Sequence, residues 1–225
     1  MSLGYKFPKF YALMDRWFFE SEKNSPLSNL GIEMMDIQSL HKNAIVLDLA
    51  CGTGTVTLWM AQHRPDIHVV GLDLAEDMII KAKSESKKLG VPNVSFLCQS
   101  ALTVTEEEIF AVSTAIEAQN RGIDMIVSSY GFSAMSNYEE IFEKTVNLLA
   151  PNGRYVIMDL HYPTRNWLSL FMTHFIDKWL WGSNQLNRVW EVMSNKLENF
   201  EKHEQAFKLY GFVPAVFFVA KGIKT

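Results

Sequence analysis

Residues 45–57 read Ile-Val-Leu-Asp-Leu-Ala-Cys-Gly-Thr-Gly-Thr-Val-Thr, and no other stretch restricts the possible folds of this chain so strongly. Apolar residues lead into Asp48, a turn of small residues carries Gly52 and Gly54, and a helical apolar pattern follows at Val56, Leu58, Trp59 and Met60. A buried strand that breaks at two glycines and opens into a helix is a nucleotide-binding turn. Glycine lets the backbone approach a ligand closely, and the free N–H groups of the helix N-terminus favour negative groups. The pattern leaves the nucleotide open.

The chain has 225 residues, enough for one large domain with a full core and too few for two comfortable ones. With 48% hydrophobic and 20% charged residues it has an ordinary globular composition, and its net charge of −4 gives no electrostatic footprint for nucleic acid. The two cysteines, Cys51 and Cys98, have no metal-like spacing, so no metal centre is expected. Without a signal-peptide pattern, a reducing cytoplasm is the expected location. Cys51, inside the glycine turn, reads as a small packing residue.

The middle of the chain alternates strand and helix signals at short spacing, which implies βαβ units and a parallel sheet. Strands are expected at 44–50, 67–73, 94–98, 123–129 and 154–160, with helices at about 55–63, 75–89, 106–119 and 138–149. Pro151-Asn152-Gly153 reads as a turn. The expected architecture is a Rossmann-like, doubly wound α/β sheet, mostly parallel with a C-terminal antiparallel strand. It is divided into an N-terminal helical cap (1–40), a cofactor-binding core (41–162), a helical lid (163–210) and a terminal strand (211–225).

A dinucleotide-binding turn wants a third Gly or Ala where Thr57 stands, so a nicotinamide cofactor fits poorly. The chain instead resembles the class I S-adenosylmethionine-dependent methyltransferases at four places in order. These are Val46–Gly54, Val70–Met78, Asp124–Ser129 and the turn Leu148–Arg154. The resemblance implies S-adenosylmethionine as cofactor, cradled by Asp48, Leu49, Ala50, Cys51, Gly52, Thr53 and Gly54, with Asp48 and the Gly52–Gly54 backbone on the methionine part. It implies that Asp73 accepts bonds from both ribose hydroxyls and that Leu74 and Met78 sandwich the adenine. Ser129 and Tyr130 would complete the cradle. Where the family carries Gly-Asp-Ala after the third strand, this chain has Gln99-Ser100-Ala101; Ser100 or Gln99 would accept from the adenine amine without a carboxylate.

In open α/β sheets the ligand crevice lies beyond the carboxyl ends of the strands. Tyr130 and His161 reach it there, the first as an orienting group and the second as a proton acceptor near neutral pH. Two aromatic runs flank the core: Tyr5–Phe19, and Trp167–Trp181 with its narrow polar stripe of Ser169, Thr173, Asp177 and Lys178. Both are too short to span a membrane. A lid over a hydrophobic acceptor, a homodimer interface and a peripheral membrane contact all remain open for them.

The segment Tyr11–Asp15 and the ending Val219–Lys224 resemble the ubiquinone/menaquinone-biosynthesis C-methyltransferases, which implies methylation of a quinol-like ring carbon. The expected function is methyl transfer to a small, hydrophobic molecule. The alternatives are a cofactor-binding protein without turnover and a nicotinamide-dependent oxidoreductase. Nucleic acid is not expected as a substrate, because no Asn/Asp-Pro-Pro-aromatic run follows strand four.

Overall fold

Near-continuous apolar strands separated by helices dictate a sheet buried on both faces, and the chain adopts one. The computed structural model describes residues 26–113, 122–163, 167–178, 184, 187–209 and 213–225. Helix α1 (Pro26–Met35) precedes β1 (Ile45–Leu49), α2 (Thr55–His63), β2 (His68–Asp73), α3 (Glu76–Leu89), β3 (Val94–Cys98), α4 (Glu106–Val112) and β4 (Ile123–Ser129). There follow α5 (Tyr138–Val146), β5 (Leu149–His161), α6 (Trp167–Phe171), a π-helix (Met172–Asp177), α7 (Val189–Lys196), β6 (Glu198–Leu209) and β7 (Val213–Ile223). The seven strands run in the order β3-β2-β1-β4-β5-β7-β6. β1 to β5 pair in parallel, whereas β7 pairs antiparallel with both β5 and β6.

The period-2 alternation of the strands sorts their side chains into two cores. Ile45, Leu47, Leu49, Ile126, Ile157 and Phe218 face one side, where α5 and α7 add Phe142, Trp190 and Met193. Val46, Val69, Val127, Val156, Met158 and Val219 face the other, under Met34, Met35 and Met60. Asn93 closes the end of α2, its Nδ2 donating to the carbonyls of Ala61, Arg64 and Ile67 at 3.0–3.1 Å. Thr105 and Glu108 form a capping box that starts α4.

Three expectations need correction. The stretch 163–210 is not helical to its end, because Glu198–Leu209 is strand β6. Its Glu and Lys residues suit a helix on intrinsic preference, but pairing along β7 overrides that preference, with Lys221 bridging Glu201 at 3.2 Å. β6 is an edge strand, and its charges are what an edge needs to stay unpaired with other chains. Second, the helix after Glu106 stops at Val112 rather than near Gln119. Third, Pro151–Gly153 is no inter-element turn; it lies within β5, where the register against β4 shifts and Asn152 takes φ 63°. The aromatic run Tyr5–Phe19, the segment Tyr11–Asp15 and Trp179–Trp181 lie outside the described residues. No described helix is long and apolar enough to cross a membrane.

His68, at the start of β2, is 2% exposed, and burial lowers its pKa from 6.5 to about 4. Below pH 6.5 the unfolded chain takes up the proton while the fold resists it, so His68 favours folding above that pH and opposes it progressively down to pH 4. Between pH 6.5 and 4, urea titrations of His68→Leu are expected to show a smaller loss of unfolding free energy on acidification than the parent protein.

Candidate cofactor and acceptor site

Two carboxylates at the carboxyl ends of adjacent strands frame the site. Asp48, in β1, is 1% exposed and accepts a 2.6 Å bond from Thr57 Oγ1 in α2. After Leu49 the backbone turns left-handed at Ala50 (φ 54°), Gly52 (54°) and Gly54 (80°). Ala50 pays a side-chain penalty for that conformation. It is held there because Cys51 N–H donates to Leu72 O at 3.0 Å and Gly54 N–H to Cys51 O at 2.9 Å. A Cβ on Gly54 would stand 3.1 Å from both Ala82 Cβ and Phe96 Cε1, so glycine here also permits close packing against α3 and β3.

Asp73 ends β2. Its Oδ2 accepts from Gly52 N–H at 2.9 Å and its Oδ1 from Ala75 N–H at 2.8 Å. Burial pushes its pKa up, and these backbone bonds hold the rise back. The carboxylate therefore stands desolvated yet anchored, with lone pairs left on both oxygens for further donors. Beside it Leu74 is 74% exposed, a large apolar side chain displayed at a strand end. Met78, expected to share a base with Leu74, is wholly buried.

A small open cleft lies between the ends of β1 and β4, lined by Asp48, Ala50, Cys51, Gly52, Thr55, Val56 and Ser129. It falls where the strand order reverses, between β1 and β4, the position at which open α/β sheets bind ligands. Three contacts fix the two chain exits there. Ser128 Oγ donates to Leu49 O at 2.9 Å, Tyr130 N–H to Met158 O at 2.8 Å, and Gly131 passes so near that a Cβ would meet Ser128 Oγ at 2.5 Å and Ala50 Cβ at 2.8 Å.

The cleft thus gathers Asp48, Ala50, Cys51, Gly52 and Ser129, and Gly52 ties Asp73 to them. Leu49 and Thr53 are buried behind it. Burial and the nearby carboxylates of Asp48 and Asp73 raise the Cys51 thiol pKa, which suits a packing residue rather than a nucleophile. Ala101 packs at the edge of the main core. Ser100 Oγ accepts from Leu102 N–H at 3.2 Å, and Gln99 Nε2 donates to Glu108 at 3.0 Å. Tyr130, at φ 55°, sets its ring 5.8 Å from that of Phe217.

His161 is directed elsewhere. Its Nδ1 lies 3.2 Å from Tyr162 O, its Nε2 2.9 Å from Glu204 Oε1, and its ring 4.5 Å from that of Trp190. It therefore faces β6 and α7, apart from the cleft lining. Asp124, part of the fourth matched motif, sits at the opposite end of the sheet, where it accepts from His41 Nε2 and Ile45 N–H at 2.8 Å each. Thr55, Val56 and Thr57 were not singled out as site residues. For Thr57 the signal was available, since a hydroxyl stands where a dinucleotide turn needs a small apolar residue.

Residues 40–207 match the family model described as "Methyltransferase domain". A curated relative, demethylmenaquinone methyltransferase from Thermus thermophilus, is 29% identical over 120 residues, which are 53% of this chain and 49% of that protein. The chain spans about half the length of the curated relatives it matches. Among solved structures, the YcgJ protein from Bacillus subtilis superposes with a TM-score of 0.63 at 16% identity, covering 87% of this chain and 98% of that one. Phosphoethanolamine N-methyltransferase 2 from Haemonchus contortus, solved with phosphomonomethylethanolamine and S-adenosylhomocysteine, superposes at 0.66 and 12% identity, covering 87% and 52%. These likenesses establish the fold.

Two substitutions test the frame. Thr57→Val strips the buried Asp48 carboxylate of a donor and is expected to cost about 1–3 kcal/mol of unfolding free energy in urea. Gly131→Ala forces apart β1 and β4 and is expected to cost a similar amount, about 1–3 kcal/mol.

Proposed function

The chain belongs to the methyltransferase domain family and has the class I methyltransferase fold, and from that premise we propose that it transfers the methyl group of S-adenosylmethionine to a small, hydrophobic acceptor. The observation that carries the cofactor assignment is Asp73. Its carboxylate is buried, held by one backbone N–H on each oxygen, and flanked by the exposed face of Leu74. Two lone-pair positions on one carboxylate suit the two adjacent hydroxyls of a ribose, in charge-assisted bonds. Leu74 offers one apolar wall for a purine.

When bound, the cofactor supplies an electrophilic methyl group on a positively charged sulfur. The work left to this chain is positional. Asp48, locked by Thr57, places negative charge at the methionine end of the cleft, and the Ala50–Gly54 turn brings backbone close to the ligand. Ser129 and the Tyr130 backbone close the cleft from β4. Alignment of an acceptor along the methyl–sulfur axis supplies the principal acceleration for such a transfer.

A quinol-like ring carbon is the acceptor we favour, supported by the named activity of the Thermus thermophilus relative and by the apolar side chains of α6. His161, expected to take the acceptor's proton, bonds Glu204 and packs on Trp190 instead, so that proton is not assigned to it. Such an acceptor eases that demand, since a hydroxyl on its own ring activates the carbon. Exposed Trp167, Phe171 and Phe175 fit a dimer contact or the surface of a lipid layer equally, and a cytoplasmic enzyme is compatible with both. One feature favours a second reading, a cofactor-binding protein without turnover. Ser100 brings no carboxylate to the adenine side, and its oxygen is already engaged by Leu102 N–H.

Calorimetry with S-adenosylmethionine, followed by turnover assays on reduced naphthoquinols, separates the two. Saturable binding is expected, and Asp73→Ala is expected to weaken it more than tenfold with unchanged circular dichroism. Absence of heat with the parent protein would overturn the cofactor assignment; binding without methylation of any acceptor would support the second reading.

A further inference from the structure

The helical segment Trp167–Asp177 is amphipathic in the wrong sense for a surface helix. Met172 is buried and Leu168 partly so, but Trp167, Leu170, Phe171 and Phe175 are exposed, whereas Ser169, Thr173 and Asp177 are each less than 5% exposed. Spacing of four places the last three on one stripe, so the polar face is the one turned into the protein. The chain departs from α-helical geometry here, with Met172–Asp177 a π-helix, a form that recurs at functional sites.

What the stripe meets is polar as well. Tyr162, immediately after the last residue of β5, is 1% exposed and donates its phenol to Asp177 Oδ2 at 2.5 Å. Thr173, one turn before Asp177, keeps a buried hydroxyl with no hydrogen-bond partner. An α-helical threonine usually satisfies its hydroxyl on a carbonyl one turn back, and the widened π turn has not provided that bond. A buried polar atom left unmade costs free energy. The cost is explicable if a ligand completes it.

The location fits the site. β4 ends at Ser129, which pairs with Met158, and β5 continues three residues further to His161. Tyr162, one residue further again, therefore stands about 13 Å beyond the floor of the cleft, on the end of the sheet where the acceptor must enter. A carboxylate already bonded to a phenol repels anions, so a phosphate or carboxylate ligand is disfavoured. A hydroxyl both donates and accepts, and matches Thr173.

We propose that Thr173, backed by the Tyr162–Asp177 pair, is the acceptor-recognition subsite and takes an uncharged hydroxyl group on an otherwise apolar ring. The subsite rests on the methyl-transfer reading only for the role of its ligand, not for its existence. Thr173 positions the acceptor; no proton transfer is assigned to it.

The probes are 1-naphthol and 1-methoxynaphthalene, which share a ring system and differ in whether the hydroxyl can donate. Fluorescence titration of the full chain, with and without S-adenosylhomocysteine, should show about fivefold tighter binding of 1-naphthol. Thr173→Val should erase that preference and Thr173→Ser should keep it. Because Val removes an unmet buried hydroxyl at constant shape, the Tm of Thr173→Val should equal or exceed that of the parent. Equal affinity for both probes in the parent protein, a preference undiminished in Thr173→Val, or a Tm lowered by several degrees would each overturn the proposal. A separate calorimetric titration with S-adenosylhomocysteine keeps the two readings distinct. Cofactor binding without a naphthol preference sinks the subsite alone, and a Thr173-dependent preference without cofactor binding supports the subsite while sinking the methyl-transfer reading.

Discussion

One carboxylate ties together the parts of this fold that frame the site. Asp73 holds the glycine turn through Gly52 and the entry to α3 through Ala75, so β1, β2 and two helix starts share a single anchor. Burial makes the charge costly, and only directed N–H groups make it tolerable. Removing either turn would cost the carboxylate a donor, and removing the carboxylate would leave two half-buried amide groups without their acceptor. This mutual dependence fixes the turn before any ligand arrives, which is what pre-organised binding requires.

Much of the fold was legible because its signals are local. The strand–glycine–helix pattern at 45–57 and the apolar runs at 68–73, 94–98 and 123–129 each carry their own periodicity, and the described strands coincide with them closely. β6 was not legible. Glu198, Glu201, Lys202 and Glu204 have no apolar stripe of their own, and their strand state comes from β7, a partner visible only in three dimensions. The Pro151–Gly153 stretch misled in the opposite direction, since turn residues there accommodate an irregularity inside a strand.

The site divides in the same way. Asp48, Gly52, Asp73 and Ser129 could be brought together from sequence because each lies at or just past the carboxyl end of a strand, and strand ends converge wherever a parallel sheet reverses its order. Met78 was assigned through the family resemblance and His161 from its place at a strand end, and neither says which face a side chain takes. Met78 turns into the core, and His161 takes the face of β5 that carries Trp190 and Phe218. Thr173 illustrates a third case. Its place on a polar stripe was evident, yet the stripe would ordinarily face solvent; only the exposure of Phe171 and Phe175 shows that the helix is turned over.

The order β5-β7-β6 sets the sheet against the direction of synthesis. β6 leaves the ribosome before β7 but has no neighbour until β7 has been threaded between it and β5. For that interval the strand holding Glu198–Leu209 has both edges open, and so does the apolar flank of β5. Its charges then act as a temporary guard, keeping a nascent ribbon from pairing with its siblings. The same residues that hid the strand in the sequence are the ones that let it wait.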